Sequence, residues 1–405
     1  MALGLSPAGR LIFAGRALRS FGFGWLSVIL ALYLDARGFS GAAIGAVFTA
    51  TMVEDALLTM LLSTVAGRFG PARVMAATAP LMAVGGVVLA TAEAPWLLVV
   101  GAVLGTLSPN GQEAGPFAPM EQALLPGTVG KGSVVRAFGW YNVFAFLPSA
   151  LGAAAAGGAM GWSAQAGIGE VQAQRAMLLA YAAIGVALTG LYALLSARLE
   201  AQPAPAARAA LGALGLGRSR SAILQLAGLQ GLDALAGGFI MQSLLAYWFH
   251  LRFGAGPAAL GALFFGTSLL SGLSFLVATR IAERVGLLNT MVFTHLPSNL
   301  MLLAVPYMPT FESAGTLLLA RHLLSQMDVP TRQAFTMALV APEERPAASG
   351  LTTSVRAFAQ ACAPLVAGLT LAAASPAPFL FAGGLKVVYD LSLFVRFRGV
   401  RLAEA

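Results

Sequence analysis

The chain has 405 residues, of which 58% are hydrophobic and only 10% are charged. An ordinary soluble domain carries about 25% charged residues, so 24 basic and 16 acidic side chains cannot cover a soluble surface of this length. With a mean hydropathy of +0.80, a soluble enzyme, a disordered chain and a disulfide-stapled secreted domain are excluded, and an integral membrane protein is expected. The net charge of +8 fits the cytoplasmic bias of Lys and Arg in membrane proteins better than nucleic-acid binding. The single cysteine, Cys362, cannot close an internal disulfide and reads as packing.

A membrane helix needs roughly 20 mostly apolar residues, and twelve segments meet that condition. Span 1, 9–34, carries Arg16 and Arg19, and span 2, 42–66, carries Glu54 and Asp55. At a rise of about 1.5 Å per residue, Arg19 lies about 15 Å and Glu54 about 20 Å from the inner ends of their helices. These depths predict a pair between Arg19 and Glu54 or Asp55, either a structural salt bridge or part of a transport path, while Arg16 can snorkel to the inner surface. Span 3 covers 73–92. Span 4, 95–115, is broken by the stretch Ser108-Pro109-Asn110-Gly111-Gln112-Glu113-Ala114-Gly115-Pro116, with Pro119, Glu121 and Gln122 beyond it. Prolines and glycines at this density interrupt a helix, and freed backbone at membrane depth is tolerated only beside protein or a water-filled cavity. Spans 5 and 6 cover 136–158 and 174–196. The Ala-, Pro- and Arg-rich connection 198–220 is predicted to be a cytoplasmic linker between two six-helix halves, 1–197 and 221–405.

Span 7, 221–249, carries Gln225, Gln230, Asp233 and Gln242. Spans 8 and 9 cover 257–280 and 286–306. Span 10, 312–340, carries Arg321, His322, Gln326, Asp328 and Arg332, with Pro330 among them. Spans 11 and 12 cover 347–373 and 376–395, and in the last Lys386 and Asp390 stand at i and i+4, a spacing that predicts a structural pair along one helix. An ionisable group inside a span costs several kcal/mol unless it is paired or faces water. Candidates for the substrate or ion path are therefore Arg16, Arg19, Glu54, Asp55, Asn110, Gln112, Glu113, Gln230, Asp233, Arg321, Gln326, Asp328 and Arg332. His250 stands near an outer helix end and His295 reads as isolated in span 9. No zinc spacing, P-loop or nucleophile motif occurs, so no catalytic residue, metal or cofactor is expected and ATP is disfavoured as a direct energy source.

With the N-terminus inside, 15 basic residues fall on the cytoplasmic side and three, Arg37, Arg175 and Arg252, on the outer side. This bias predicts both termini in the cytoplasm.

The halves repeat each other. Ala66-Gly67-Arg68-Phe69-Gly70 and Ala282-Glu283-Arg284-Val285-Gly286 lie 216 residues apart, as do Pro126 and Pro342, and Pro148 and Pro364. The pair Val135-Arg136-Ala137-Phe138 and Val355-Arg356-Ala357-Phe358 departs from that offset, at 220. At 216, Gln112 meets Asp328 and Pro116 meets Arg332. Interrupted helices at matching places in two halves point to a transport site, a gating kink or an internal polar lock.

These loops resemble the G-x-x-x-D-R-x-G-R-R/K motif of the major facilitator superfamily. The first copy keeps Arg68, Gly70 and Arg73 but has Gly67 in place of the acid, and the second keeps Glu283, Arg284 and Gly286. The resemblance implies an all-α polytopic membrane protein with twelve transmembrane helices in two pseudo-symmetric six-helix bundles. It also implies a cytoplasmic latch at these six residues, with positive-inside anchoring and tight glycine turns as the alternative. Spans 1 and 7 of that family border the central cavity, which makes Arg19 and Asp233 the sharper candidates. A partial likeness to the span-5 motif of its efflux antiporters runs from Leu147-Pro148 through Gly152 to Gly157-Gly158.

The expected function is secondary-active transport of a small solute by alternating access, coupled to protons and directed to efflux. The alternative is an importer or facilitator of an anionic metabolite that uses Arg16, Arg19, Arg321 and Arg332. The expected partners are the solute, protons and membrane lipid. A monomer in the plasma (inner) membrane is expected, with no nucleic acid bound.

Overall fold

The computed structural model describes residues 4–111, 117–130, 134–199, 219–340, 344–371 and 374–400. The expected linker lies almost wholly outside these residues, as do Gln112, Glu113 and Pro342.

The chain is helical along almost all of its described length. Helix α1 (Pro7–Ala36) starts where the Ser6 hydroxyl accepts from the Gly9 amide and Pro7 occupies the first helical position. Helix α2 (Gly41–Phe69) ends at Gly70, whose φ of 91° is open to glycine, and α3 (Pro71–Thr78) follows at once. Helices α4 (Pro80–Thr91) and α5 (Pro95–Leu104) come next, then α6 (Phe117–Leu124), α7 (Val134–Gln165) and α8 (Glu170–Leu199). The second half holds α9 (Arg220–Gly238), α10 (Gln242–Phe253), α11 (Pro257–Val285), α12 (Leu287–Ala304), α13 (Phe311–Ser325), α14 (Asp328–Ala338), α15 (Arg345–Thr370) and α16 (Ala377–Phe397).

Eleven of the twelve expected spans coincide with a helix or a pair of consecutive helices, and span 4 keeps a helix, α5, over its first ten residues only. Among the described residues nine helical segments are long and apolar enough to cross a membrane, and α5 is a shorter apolar helix. The other spans fall short for physical reasons. Helix α5 stops at Leu104, before Thr106 at a φ of 48° and Gly111 at 68°. The freed carbonyl of Gly111 accepts from the Ser149 hydroxyl of α7 at 2.6 Å, so protein replaces the missing helical bond. Span 10 splits into α13 and α14, but Pro330 does not break it. The break precedes Asp328, and Pro330 falls in the first turn of α14, where no amide donor is needed. The polar face of α14 and the small, polar start of α15 lower their hydropathy.

The repeat is visible in the helix starts. Gly41 of α2 and Pro257 of α11, Pro71 of α3 and Leu287 of α12, and Pro95 of α5 and Phe311 of α13 all stand 216 residues apart. Gly70 and Gly286, at φ 91° and 87°, occupy the same turn in each copy.

The helices form two compact units. One comprises Met1–Ser40, Val53–Ala209 and Gly256–Phe265, the other Gly41–Met52, Ala210–Ala255 and Gly266–Ala405. In the first unit α1 packs on α7 and α8, and α4 on α8. Small residues set the α1–α7 distance: a side chain at Gly24 would meet the Ser149 carbonyl, and one at Gly152 the Phe21 carbonyl. In the second unit α9 packs on α15 and α16, and α12 on α13, α14 and α16. Its apolar core gathers Ile223, Leu226, Met291, Val292, Phe335, Tyr389, Leu393 and Phe397.

Candidate functional site: two buried charge clusters

Each unit buries its own cluster of charged side chains. In the first unit, α1 carries Arg19 to the middle of the helix packing, where it has no exposure. Its guanidinium forms a two-pronged pair with Glu121 of α6: Nη1 donates to Oε1 at 2.9 Å and Nη2 to Oε2 at 2.8 Å. The Tyr192 hydroxyl of α8 donates to Oε1 and the Tyr141 hydroxyl of α7 to Oε2, both at 2.6 Å, and Arg19 also reaches the Tyr192 hydroxyl. Four helices thus close on one carboxylate, and each of its oxygens accepts at least two hydrogen bonds. Arg16 lies over the Tyr141 ring at 4.4 Å and Arg19 over the Phe117 ring at 5.0 Å.

This corrects the expected partner of Arg19. Depth along the helices favoured Glu54 or Asp55, but α1 packs on α7 and α8, and α6 delivers Glu121 instead. Glu54 and Asp55 are half-buried on α2, and Glu54 Oε2 is buried without a hydrogen-bond partner among the described residues.

In the second unit, Asp233 of α9 is the hub. Lys386 Nζ of α16 donates to Oδ1 at 2.5 Å. Arg332 Nη1 of α14 and Arg356 Nη1 of α15 donate to Oδ2 at 3.2 and 3.0 Å. Arg332 Nη1 also donates to Asp328 Oδ2, one turn back, at 2.5 Å. Gln230 joins through its carbonyl, which accepts from Arg356, and its side-chain amide, which donates to Thr336. His295 of α12 bridges two carboxylates: Nδ1 lies 2.8 Å from Asp390 Oδ1, and Nε2 lies 3.9 Å from Asp233 Oδ1. The Asn299 amide donates to Asp390 Oδ2 at 2.8 Å.

Two expectations are corrected here. Lys386 and Asp390 do not form the predicted ion pair along α16, because Lys386 turns to Asp233 and Asp390 to His295 and Asn299. Nor is His295 isolated. The signal that finds both is a pair of matched spacings: His295 and Asn299 stand at i and i+4, as do Lys386 and Asp390, so two helices each present two polar groups on one face.

The remaining candidates donate no hydrogen bond to the two hub carboxylates among the described residues. Arg321 is buried on α13, with His322 Nε2 at 3.4 Å from its Nη1. Gln326 and Asn110 are half-buried at helix breaks. Arg68, Glu283 and Arg284 are exposed at the ends of α2 and α11, and Arg73 lies in the first turn of α3. Among the described residues Glu283 and Arg284 form no ion pair. Two of the three basic residues expected outside, Arg37 and Arg175, converge on Glu93 at 2.9 and 2.6 Å. The hydrogen bonds from Arg175 and then Arg37 hold the exposed Glu93 carboxyl below its ordinary range.

Neither cluster has a nucleophile–base arrangement, and among the described residues no group of three His, Cys, Asp or Glu side chains is placed to hold a metal. Paired charges inside membrane helices fit ion or solute handling rather than bond chemistry.

Known proteins resemble this chain in sequence or in fold. The Saccharomyces cerevisiae protein named "Uncharacterized membrane protein YJR124C" is 25% identical, over 96% of this chain and 94% of its own. A solved variant of the nucleoside transporter NupG superposes with a TM-score of 0.75 at 15% identity, covering 96% of this chain and 100% of that one. A bacterial homolog of the human lysosomal transporter Spinster superposes with a TM-score of 0.77 at 11% identity, covering 97% and 96%. The model of the Major Facilitator Superfamily matches residues 12–326. With that match running through both repeats, the chain belongs to the Major Facilitator Superfamily and is a membrane transporter, not an enzyme.

Proposed function

We propose that the protein is a secondary-active carrier that moves a small solute by alternating access and couples that movement to protons. The observation that carries this reading is the pair of buried charge clusters on membrane-spanning helices, centred on Glu121 in one unit and Asp233 in the other. Charges this costly to bury are retained in membranes where they handle an ion or a solute. Glu54 supports the proton: it is a carboxylate within a span, with no ion pair among the described residues and one oxygen buried without a partner. Both termini face the cytoplasm in this reading, and a single chain in the plasma membrane suffices.

Efflux rests on the partial glycine motif of α7, yet its glycines have packing roles. Gly152 lies against the Phe21 carbonyl of α1, and a side chain at Gly157 would come within 2.8 Å of the Pro257 carbonyl. Import of an anion is the second reading, favoured by the surplus of buried cations in the second unit.

Flux in proteoliposomes with and without an imposed pH gradient tests the proton coupling. Under the proton-coupled reading a gradient drives solute uphill, and Glu54→Gln abolishes that drive while solute exchange persists. Identical flux with and without the gradient removes proton coupling.

A further inference from the structure

We propose that Arg321 and Ser325 on α13 form a subsite for a monocarboxylate. The proposal rests on the carrier reading and deepens it by naming the class of substrate.

The first argument is charge. The cluster of the second unit gathers three carboxylates, Asp233, Asp328 and Asp390. Against them stand four fixed cations, Arg321, Arg332, Arg356 and Lys386. Three of the cations are paired with Asp233. The four cations against three carboxylates leave the cluster a surplus of one positive charge. An uncompensated charge in a membrane interior is strongly unfavourable. A bound anion of one charge removes the surplus.

The second argument places that anion. Arg321 is the cation without a carboxylate: among the described residues none lies within 4.0 Å of it. It is 5% exposed, and its Nε is buried with no hydrogen-bond partner. Its contact with His322 uses Nη1 alone, and His322 is held from its other side by the Ser271 hydroxyl at 2.9 Å. The Nε edge of the guanidinium is therefore unspent. Ser325, 3% exposed, also has a buried hydroxyl without a partner. Residues at i and i+4 share one helix face, so the two open groups stand one turn apart on α13. Buried polar groups in folded proteins are satisfied as a rule, and two such exceptions beside a charge surplus mark a place where a ligand completes the bonding.

The third argument is shape and charge number. The planar edge of a guanidinium matches the two oxygens of a carboxylate. Ser325 supplies a further donor to one of them. A phosphate monoester carries about 1.5 to 2 negative charges at neutral pH and overshoots the surplus.

The test is binding, measured by calorimetry on the full chain in lipid nanodiscs with no gradient present. The probes are acetate and benzoate, with benzamide as the neutral isostere of benzoate, and with inorganic phosphate and chloride as the competing anions. A carboxylate is expected to bind while benzamide does not. Phosphate and chloride are expected to bind more weakly. Arg321→Gln should weaken the carboxylate by at least tenfold and Ser325→Ala by about tenfold. If Arg321→Gln does not fold, Arg321→Lys, which keeps the charge and loses the planar edge, and Ser325→Ala carry the test. The proposal is overturned if neither carboxylate binds, if chloride or phosphate binds more tightly than both, or if the variants that fold bind as the wild type does. Because no flux is measured, the two readings fail separately. A protein that carries solute in vesicles but ignores carboxylates loses this subsite and keeps the carrier reading, whereas one that binds carboxylate and moves nothing does the reverse.

Discussion

Arg19 shows what a single residue discloses and what it hides. Its sequence position is enough to make it suspect, because a lone guanidinium at that depth needs a counter-charge. The partner was not legible, because depth fixes a coordinate along the membrane normal and says nothing of which helix stands alongside. Glu121 sits past a broken span, in a stretch whose path only the folded chain defines. The pair now predicts a specific pattern. Arg19→Ala leaves the fully buried Glu121 with hydroxyl donors only, and breaking a buried pair on one side costs about 3–5 kcal/mol. A thermal or denaturant unfolding series in detergent should show that loss. Adding Glu121→Gln should restore much of it, since the amide oxygen still accepts from one tyrosine and the amide nitrogen can donate to the hydroxyl oxygen of the other. Adding Glu54→Gln in place of Glu121→Gln should restore nothing. Rescue by the Glu54 change would return the pair to α2 and contradict the geometry.

At the scale of the helix, the sequence discloses more. Gly24 and Gly152 lie in long apolar runs where a larger residue would add helix propensity, so their presence needs a reason, and close helix approach supplies it. The Cβ of an alanine at Gly24 would press on the Ser149 carbonyl, and one at Gly152 on the Phe21 carbonyl. Neither contact is with a flexible side-chain end, so α1 and α7 must move apart. Overpacking of this kind costs about 1–3 kcal/mol. Gly158, on the same helix as Gly152, faces open space. Gly24→Ala and Gly152→Ala should therefore lower the unfolding midpoint, while Gly158→Ala should stay within about 1 kcal/mol of the wild type. Equal effects at all three positions would mean that the α1–α7 distance is not set by these glycines. The helix breaks were legible in part. Prolines and glycines marked a break after α5, although the helix already stops at Leu104, ahead of Pro109, whereas Pro330 misled, because proline is at home in the first turn of a helix.

Over the whole molecule, the offset of 216 residues was the most legible feature, since three pairs of helix starts keep it. Sequence repeats persist because each copy must make the same turns, and Gly70 and Gly286 share one positive φ. Which charges meet was the least legible, because the two copies have diverged there: one cluster centres on the Arg19–Glu121 pair held by tyrosines, the other on Asp233 with four helices around it. Orientation in the membrane remains a consequence of charge. In the proposed orientation, with fifteen basic residues inside against three outside, the ends of α1 and α4 nearest Glu93 face outward. That end is held by Arg37 and Arg175 on Glu93, all three exposed or near the surface. The lowered range of the Glu93 carboxyl means that this clamp is present at neutral pH and lost only as pH falls below the ordinary carboxylate range, so labelling at neutral pH samples the clamped state. A cysteine at position 93, placed by Glu93→Cys with the native thiol removed by Cys362→Ser, should react with a membrane-impermeant maleimide in intact cells. Because the substitution itself removes the clamp, Ala94→Cys in the same background keeps Glu93 and should react from the same side. A reporter fused after Ala405 should read as cytoplasmic in the same cells. Reaction at 93 and 94 only after permeabilisation, with the reporter outside, would invert the topology, and with it the direction assigned to any flux.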